Sequence, residues 1–83
     1  MINCQLIQQK IDEKGFKFDG DVELVMTQTS IYDDLKEDCD FIDEDGNFKG
    51  VGIQFNDSVR GLFFGAQDKT FIIPKDELYE EVE

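Results

Sequence analysis

The chain contains no histidine and no tryptophan, a single proline, two cysteines, and only eight lysines and arginines against twenty aspartates and glutamates. Each shortage removes a class of chemistry. Without histidine there is no Ser-His or Cys-His nucleophile pair. Cys4 and Cys39 cannot by themselves fill a four-ligand structural zinc site, and they do not resemble a disulfide framework. Two reduced thiols in a cytoplasmic protein are the simpler expectation. Eight cations cannot supply the clustered phosphate contacts of a nucleic-acid-binding surface, and an anionic membrane repels a chain of net charge −12. No apolar run approaches the roughly 18 residues of a membrane span. The opening "MINCQLIQQKIDEKG" lacks the cationic and apolar regions of a secretory signal. The "KDEL" at residues 75–78 is followed by five more residues, so it is not a C-terminal retention signal.

What is present is a small apolar inventory with large members. Hydrophobic residues make up 40% of the 83 positions and include eight phenylalanines, too many for a wholly disordered chain. No repeat, linker or composition shift divides the sequence, so residues 1–83 read as one small acidic domain.

Ile2, Leu6, Ile7 and Ile11 stand near helical spacing, and Gly15 follows Lys14 as a helix stop would, which predicts a helix over residues 2–14. Asp19-Gly20 is a hairpin-turn signal between "FKF" and "VELVMT", where Val22, Leu24 and Met26 would share a face. "SIYDDLKED" offers Ser30 as an N-cap and an Ile31/Leu35 pair, enough for a short helix or turn. Asp45-Gly46 marks a second turn before "FKGVGIQF", which sets Val51, Ile53 and Phe55 on one face. If the loop at residues 56–60 closes a hairpin, Phe55 stands opposite Gly61, Ile53 opposite Phe63, and Gly52 opposite Phe64. A further turn at Gln67-Asp68-Lys69 leads into "TFIIP". The neighbours Phe63-Phe64 and Ile72-Ile73 put apolar groups on both faces of their strands, which predicts cover on both sides. Pro74 ends the last strand and suits the first turn of a short C-terminal helix. The expected fold is α+β: an antiparallel sheet, curled or barrel-like, with an N-terminal helix over one face and a short C-terminal helix.

Charge is unevenly spread. Residues 31–46 hold eight acids and one base, net −7, whereas residues 47–75 hold two acids and four bases, net +2. Residues 76–83 add five acids and no base. "DFIDEDGNFKGV" can be laid on a calcium loop with Gly46 at the sixth position, but Phe41 and Gly52 then occupy places that require oxygen ligands. At most, Asp38, Asp40, Asp43 and Asp45 attract cations loosely, and no cofactor or resident metal is expected. "GVG" at residues 50–52 lacks the Lys-Ser/Thr of a phosphate loop and reads as strand bending. The carboxylates crowd on apparent loops without a pocket, so no enzymatic activity is expected.

The remaining lead is an acidic surface. Carboxylates spaced along turns can imitate a phosphate backbone and dock on a basic groove, with fast, salt-sensitive association. The alternative is that they only keep a small domain dispersed. In size, acidity and lack of catalytic residues the chain resembles the small proteins that phages and prophages encode against host enzymes, some of which are nucleic-acid mimics. That resemblance is of composition and carries over no residue. The sequence therefore predicts a non-catalytic modulator or inhibitor. Asp33, Asp34, Glu37, Asp38, Asp40, Asp43, Glu44 and Asp45 would contact a basic protein surface, and Glu77, Glu80 and Glu81 would extend the contact. The runner-up is an oligomeric structural or accessory protein that uses Phe63, Phe64 or an edge strand as its contact.

Overall fold

The computed structural model describes residues 1–79. Asn3 opens the first helix, α1 (Cys4–Lys14), by accepting the backbone N–H of Leu6 on its side-chain oxygen at 3.1 Å. Gly15 closes it in a left-handed conformation, φ 70°, and Lys69 donates to the free carbonyls of Lys14 and Gly15. The buried residues of α1 are Ile7 and Ile11, one helical turn apart.

β1 (Val22–Thr27) follows, then α2 (Thr29–Asp38), β2 (Ile53–Phe55), β3 (Gly61–Ala66), β4 (Thr70–Pro74) and the short α3 (Lys75–Leu78). They make an α+β fold on one four-stranded sheet in the order β2-β1-β3-β4. The sheet is mixed rather than antiparallel. β1 pairs antiparallel with β3, and β3 with β4, but β1 and β2 run parallel. The reason is the connection: α2 and the segment after it carry the chain back to the starting edge, as a parallel pair requires.

Several expectations change with this topology. Asp19-Gly20 lies in a turn leading into β1, but "FKF" is not a strand, so it closes no hairpin. The α2 helix starts at Thr29 with Gln28 at its N-cap, not Ser30, and runs ten residues. Its length is explained by Ile31 and Leu35, both buried against the sheet. The proposed β2–β3 hairpin does not exist, because β1 lies between the two strands. Phe63 is opposite Met26 and Ile72, and Phe64 is opposite Val25 and Phe71. An irregularity between Val22 and Leu24 turns Val22 into the core while Leu24 and Met26 face the other way, as a bulge does. The β3–β4 hairpin and the start of α3 after Pro74 do form as the turn residues indicate.

A single core joins the helices to one side of the sheet. Ile7, Ile11, Ile31, Leu35 and Leu78 meet Val25, Leu62, Phe64 and Ile73 there. Phe48 is fully buried, with ring centroids 5.3 Å from both Phe18 and Phe64. Among the described residues the helices all pack on that side of the sheet. The sheet is open rather than curled into a barrel, and its strands are covered on one face only.

The cysteines also depart from expectation. Cys4, at the start of α1, and Cys39, at the C-cap of α2, form a disulfide, with Cα atoms 5.8 Å apart. Thirty-five positions separate them, so only the packing of the two helices reveals the pair. Bonds of this kind persist in oxidising compartments, and the thiol argument for a cytoplasmic location falls with them. Among the described residues no helix is long and apolar enough to cross a membrane.

Candidate interaction surface

The acid-rich residues 33–46 span the last turns of α2 and the segment that follows it, and the structure sorts them into two sets. The first set is occupied. Asp34 accepts the Tyr79 hydroxyl at 2.6 Å. Asp38 accepts the backbone N–H of Ile2 at 2.9 Å, just ahead of α1, where the helix dipole favours a carboxylate. Asp43 accepts the backbone N–H groups of Asp45 and Asn47 at 2.9 and 3.0 Å and so shapes its own turn.

The second set is Asp33, Glu37, Asp40, Glu44 and Asp45. All five are exposed. None of them is within salt-bridge distance of a lysine or arginine among the described residues, where the ion pair found is Lys10–Glu13 on α1. Asp33 and Glu37 are one helical turn apart, so they project from the same side of α2. Glu44 and Asp45 belong to the turn that ends at Gly46. Tyr32 links the two groups: its hydroxyl lies 3.0 Å from where a side chain on Gly46 would begin. Its ring meets Phe55 edge-on at 5.1 Å, and Phe55 is 54% exposed. An aromatic pair thus stands between acidic residues of the helix and of the turn. The acidity of the region was legible in the sequence, but the aromatic pair was not, because Tyr32 and Phe55 come together only through the parallel return to β2.

Glu77 is exposed on α3. Tyr79, two residues later, touches α2 through Asp34 and bridges to Ile2, which brings this end of the chain beside the acidic helix. Glu80 and Glu81 lie outside the described residues.

In the segment that can be laid on a calcium loop, an aromatic stack stands where the first ligand would be. Phe41, at the place of the first ligand, stacks on Phe48 with centroids 5.1 Å apart. Among the described residues no three carboxylates or thiols converge as a metal site requires. Two open depressions lie elsewhere, one of about 280 Å³ beside Asp21 and Lys69 and one of about 330 Å³ beside Arg60 and Lys75. Neither contains a residue of the acidic set.

Burial and the bond to Asp34, followed by the charges of Asp34 and Asp38, hold the Tyr79 phenol protonated and push its pKa well above the ordinary tyrosine value. This tyrosine is a structural donor, not a general base.

Comparison of the chain with protein-family models, with curated proteins and with solved structures finds no match.

Proposed function

We propose that this protein is a non-catalytic interaction module, an acidic modulator or inhibitor, that docks on a basic surface of another protein. The contact would be Asp33, Glu37, Asp40, Glu44 and Asp45 around the Tyr32–Phe55 pair. The observation that carries the reading is that these five carboxylates are exposed and, among the described residues, have no cationic partner. Tyr32, the neighbour of Asp33 on α2, reaches the Glu44–Asp45 turn at Gly46 and meets the exposed Phe55 ring. Aromatic centres with polar rims are the usual anatomy of a protein interface. A surface of unpaired acids steers a basic partner toward that centre. A nucleic-acid-binding protein presents such a basic groove, and a carboxylate array can take the place of phosphates there, as in the nucleic-acid mimics that phages encode. Asp34, Asp38 and Asp43 hold the local structure of this surface through their own hydrogen bonds.

The test is capture of partners from lysate at low and high salt, followed by binding of two variants to the captured protein. Converting the five exposed acids together to their amides should slow association and flatten its salt dependence. Phe55→Ala should speed dissociation with the salt dependence intact. Unchanged binding by both folded variants would reduce the acidic region to a solubilising coat.

A further inference from the structure

The two cysteines form a single cross-link, and it stands at the hinge of the acidic region. Cys39 caps α2 in an extended conformation, directly between Asp38 and Asp40. Asp33 and Glu37 lie on the helix before it. Glu44 and Asp45 lie in the turn after it, a unit closed by the backbone bonds from Asp43 to Asn47 and from Lys49 to Phe41. Cys39 and Asp40 are therefore the junction between two halves of the acidic region, and the bond to Cys4 fixes that junction to the start of α1. Residues 31–46 carry net charge −7, so the halves repel each other. The fold itself rests on other contacts. Phe48, Phe64, Ile7, Ile31, Leu35 and Leu62 are fully buried, whereas Cys4 is half-buried at the margin of the core. Noncovalent ties also span this place. Asp38 accepts the Ile2 N–H, Asn3 donates its N–H to the Leu78 carbonyl at 2.7 Å, and Tyr79 donates to Asp34. These ties keep the two sulfurs neighbours when the bond between them is open.

We propose that the Cys4–Cys39 bond is a redox latch on the acidic region. Oxidised, it locks the carboxylates of the helix and of the turn into one array; reduced by a dithiol, it lets them separate. The consequence for docking rests on the acidic-surface reading above, whereas the latch itself does not. Two features mark the bond as reversible rather than as a permanent staple. Its Cys4 sulfur is open to attack from solvent, as in disulfides that exchange readily, while Cys39 is 9% exposed. Its loss leaves a full hydrophobic core, unlike that of small domains held together by several disulfides. The chemistry is thiol–disulfide exchange. A thiolate of the dithiol attacks the Cys4 sulfur, the bond to Cys39 breaks, and Cys39 leaves as a thiolate that takes a proton from water. The second thiol of the reductant then attacks the mixed disulfide, frees Cys4 and closes its own disulfide. Two electrons and two protons pass in total from the dithiol to the protein. An array already assembled costs a partner less to bind than one that must first be gathered against its own repulsion. The oxidised form is therefore the docking form.

The experiment equilibrates the full chain, without denaturant, in mixtures of reduced and oxidised dithiothreitol. Thiol blocking with intact-mass measurement reports the bond, and the far-ultraviolet spectrum and amide exchange report the fold. The bond should open and close reversibly with the spectrum unchanged. Reduction should speed exchange about tenfold at Ile2 and Asn3 and across residues 38–42, the mark of a local opening, while β1 and β3 keep their protection. The double variant Cys4→Ser/Cys39→Ser should match the reduced chain in every mixture; should it fold poorly, the natural chain still decides the matter. A bond that opens only in denaturant overturns the proposal. So does reduction that unfolds the whole chain, and so does unchanged exchange across residues 38–42. Binding to the partner captured from lysate should be about tenfold weaker for the reduced chain, as expected when a site must be ordered before it binds. Equal binding by the two forms overturns the link between latch and docking. If the five-amide variant binds as the natural chain does, the docking reading fails while the exchange result still reports the latch, so the two failures are separately visible.

Discussion

The Tyr79 hydroxyl donates to the Asp34 carboxylate at 2.6 Å across 45 positions of sequence, pinning the segment after α3 to the side of α2. Tyr79→Phe should lower stability by about 1.5 kcal/mol, the usual range for a bond to a charged acceptor. The pH dependence has a definite sign. The folded pKa lies above the unfolded one, so the folded protein keeps a proton that the unfolded chain releases above about pH 10. The contribution of Tyr79 is complete below that pH and is lost as pH rises beyond it. Urea melts of the natural chain and of Tyr79→Phe should converge with rising alkalinity. A constant difference between them would show that the phenol is not held protonated.

The Cys4–Cys39 bond closes a loop of 35 positions, for which the chain-entropy model gives about 3–4 kcal/mol of stabilisation. Replacing both cysteines with serine, or adding reductant, should lower the urea midpoint accordingly. Intact-mass measurement with and without a thiol-blocking reagent reports whether the bond is present. Because Cys39 follows Asp38, whose carboxylate holds Ile2, loss of the bond should loosen the N-terminus first, visible as faster amide exchange near Ile2 and Asn3.

Gly61 begins β3 against the backbone of β4, where a Cβ would overlap the Ile73 carbonyl. Its own carbonyl accepts the buried Thr27 hydroxyl at 2.7 Å. Gly61→Ala should therefore cost about 1–3 kcal/mol, as overpacking of a tight site does. Thr27→Val should cost about as much, by leaving that carbonyl without its partner. Thermal melts of both single variants and of the pair check this. The pair should fall short of additivity because the residues share one contact.

Phe64 sits at the centre of the aromatic cluster, with Phe16, Phe18 and Phe48 within 5.7 Å of its ring centroid. Phe64→Ala should cost about 3–5 kcal/mol and leave little folded protein. Phe55→Ala, at an exposed ring, should cost under about 1 kcal/mol. Comparable losses at the two positions would mean that the Phe55 ring is packed rather than exposed.

The parts of this fold legible in the sequence are those whose signals are local. The Ile7/Ile11 spacing and the Lys14-Gly15 stop announce α1. The turn at Gln67-Asp68-Lys69 and the position of Pro74 announce the β3–β4 hairpin and the helix after it. The parts that were not legible depend on partners far along the chain. Nothing within "FKGVGIQF" says that β2 pairs with β1 rather than β3, because a short strand offers the same edge to either. The α2 helix has acids at its C-terminal end, where they oppose the helix dipole, so its local preference understates its length. Tertiary anchors, Ile31 and Leu35 against the core and Asp38 at the start of α1, hold it in place. The surface acids were visible as a composition. Which of them are free could be seen only once Asp34, Asp38 and Asp43 were found in use.

The strand order has a consequence for how the chain assembles as it is made. β1 is an inner strand, yet both of its neighbours, β2 and β3, come after it in sequence. A nascent chain that has released α1, β1 and α2 has no sheet to build, since β1 has nothing to bond with until residues 53–66 follow. The buried faces of α1 and α2 wait exposed for the same interval. Productive folding therefore waits until β2 and β3 have been made and released. Truncations that remove β3 and β4 should yield not a smaller stable unit but a soluble-expression failure, with the apolar sides of both helices left to associate with whatever is near.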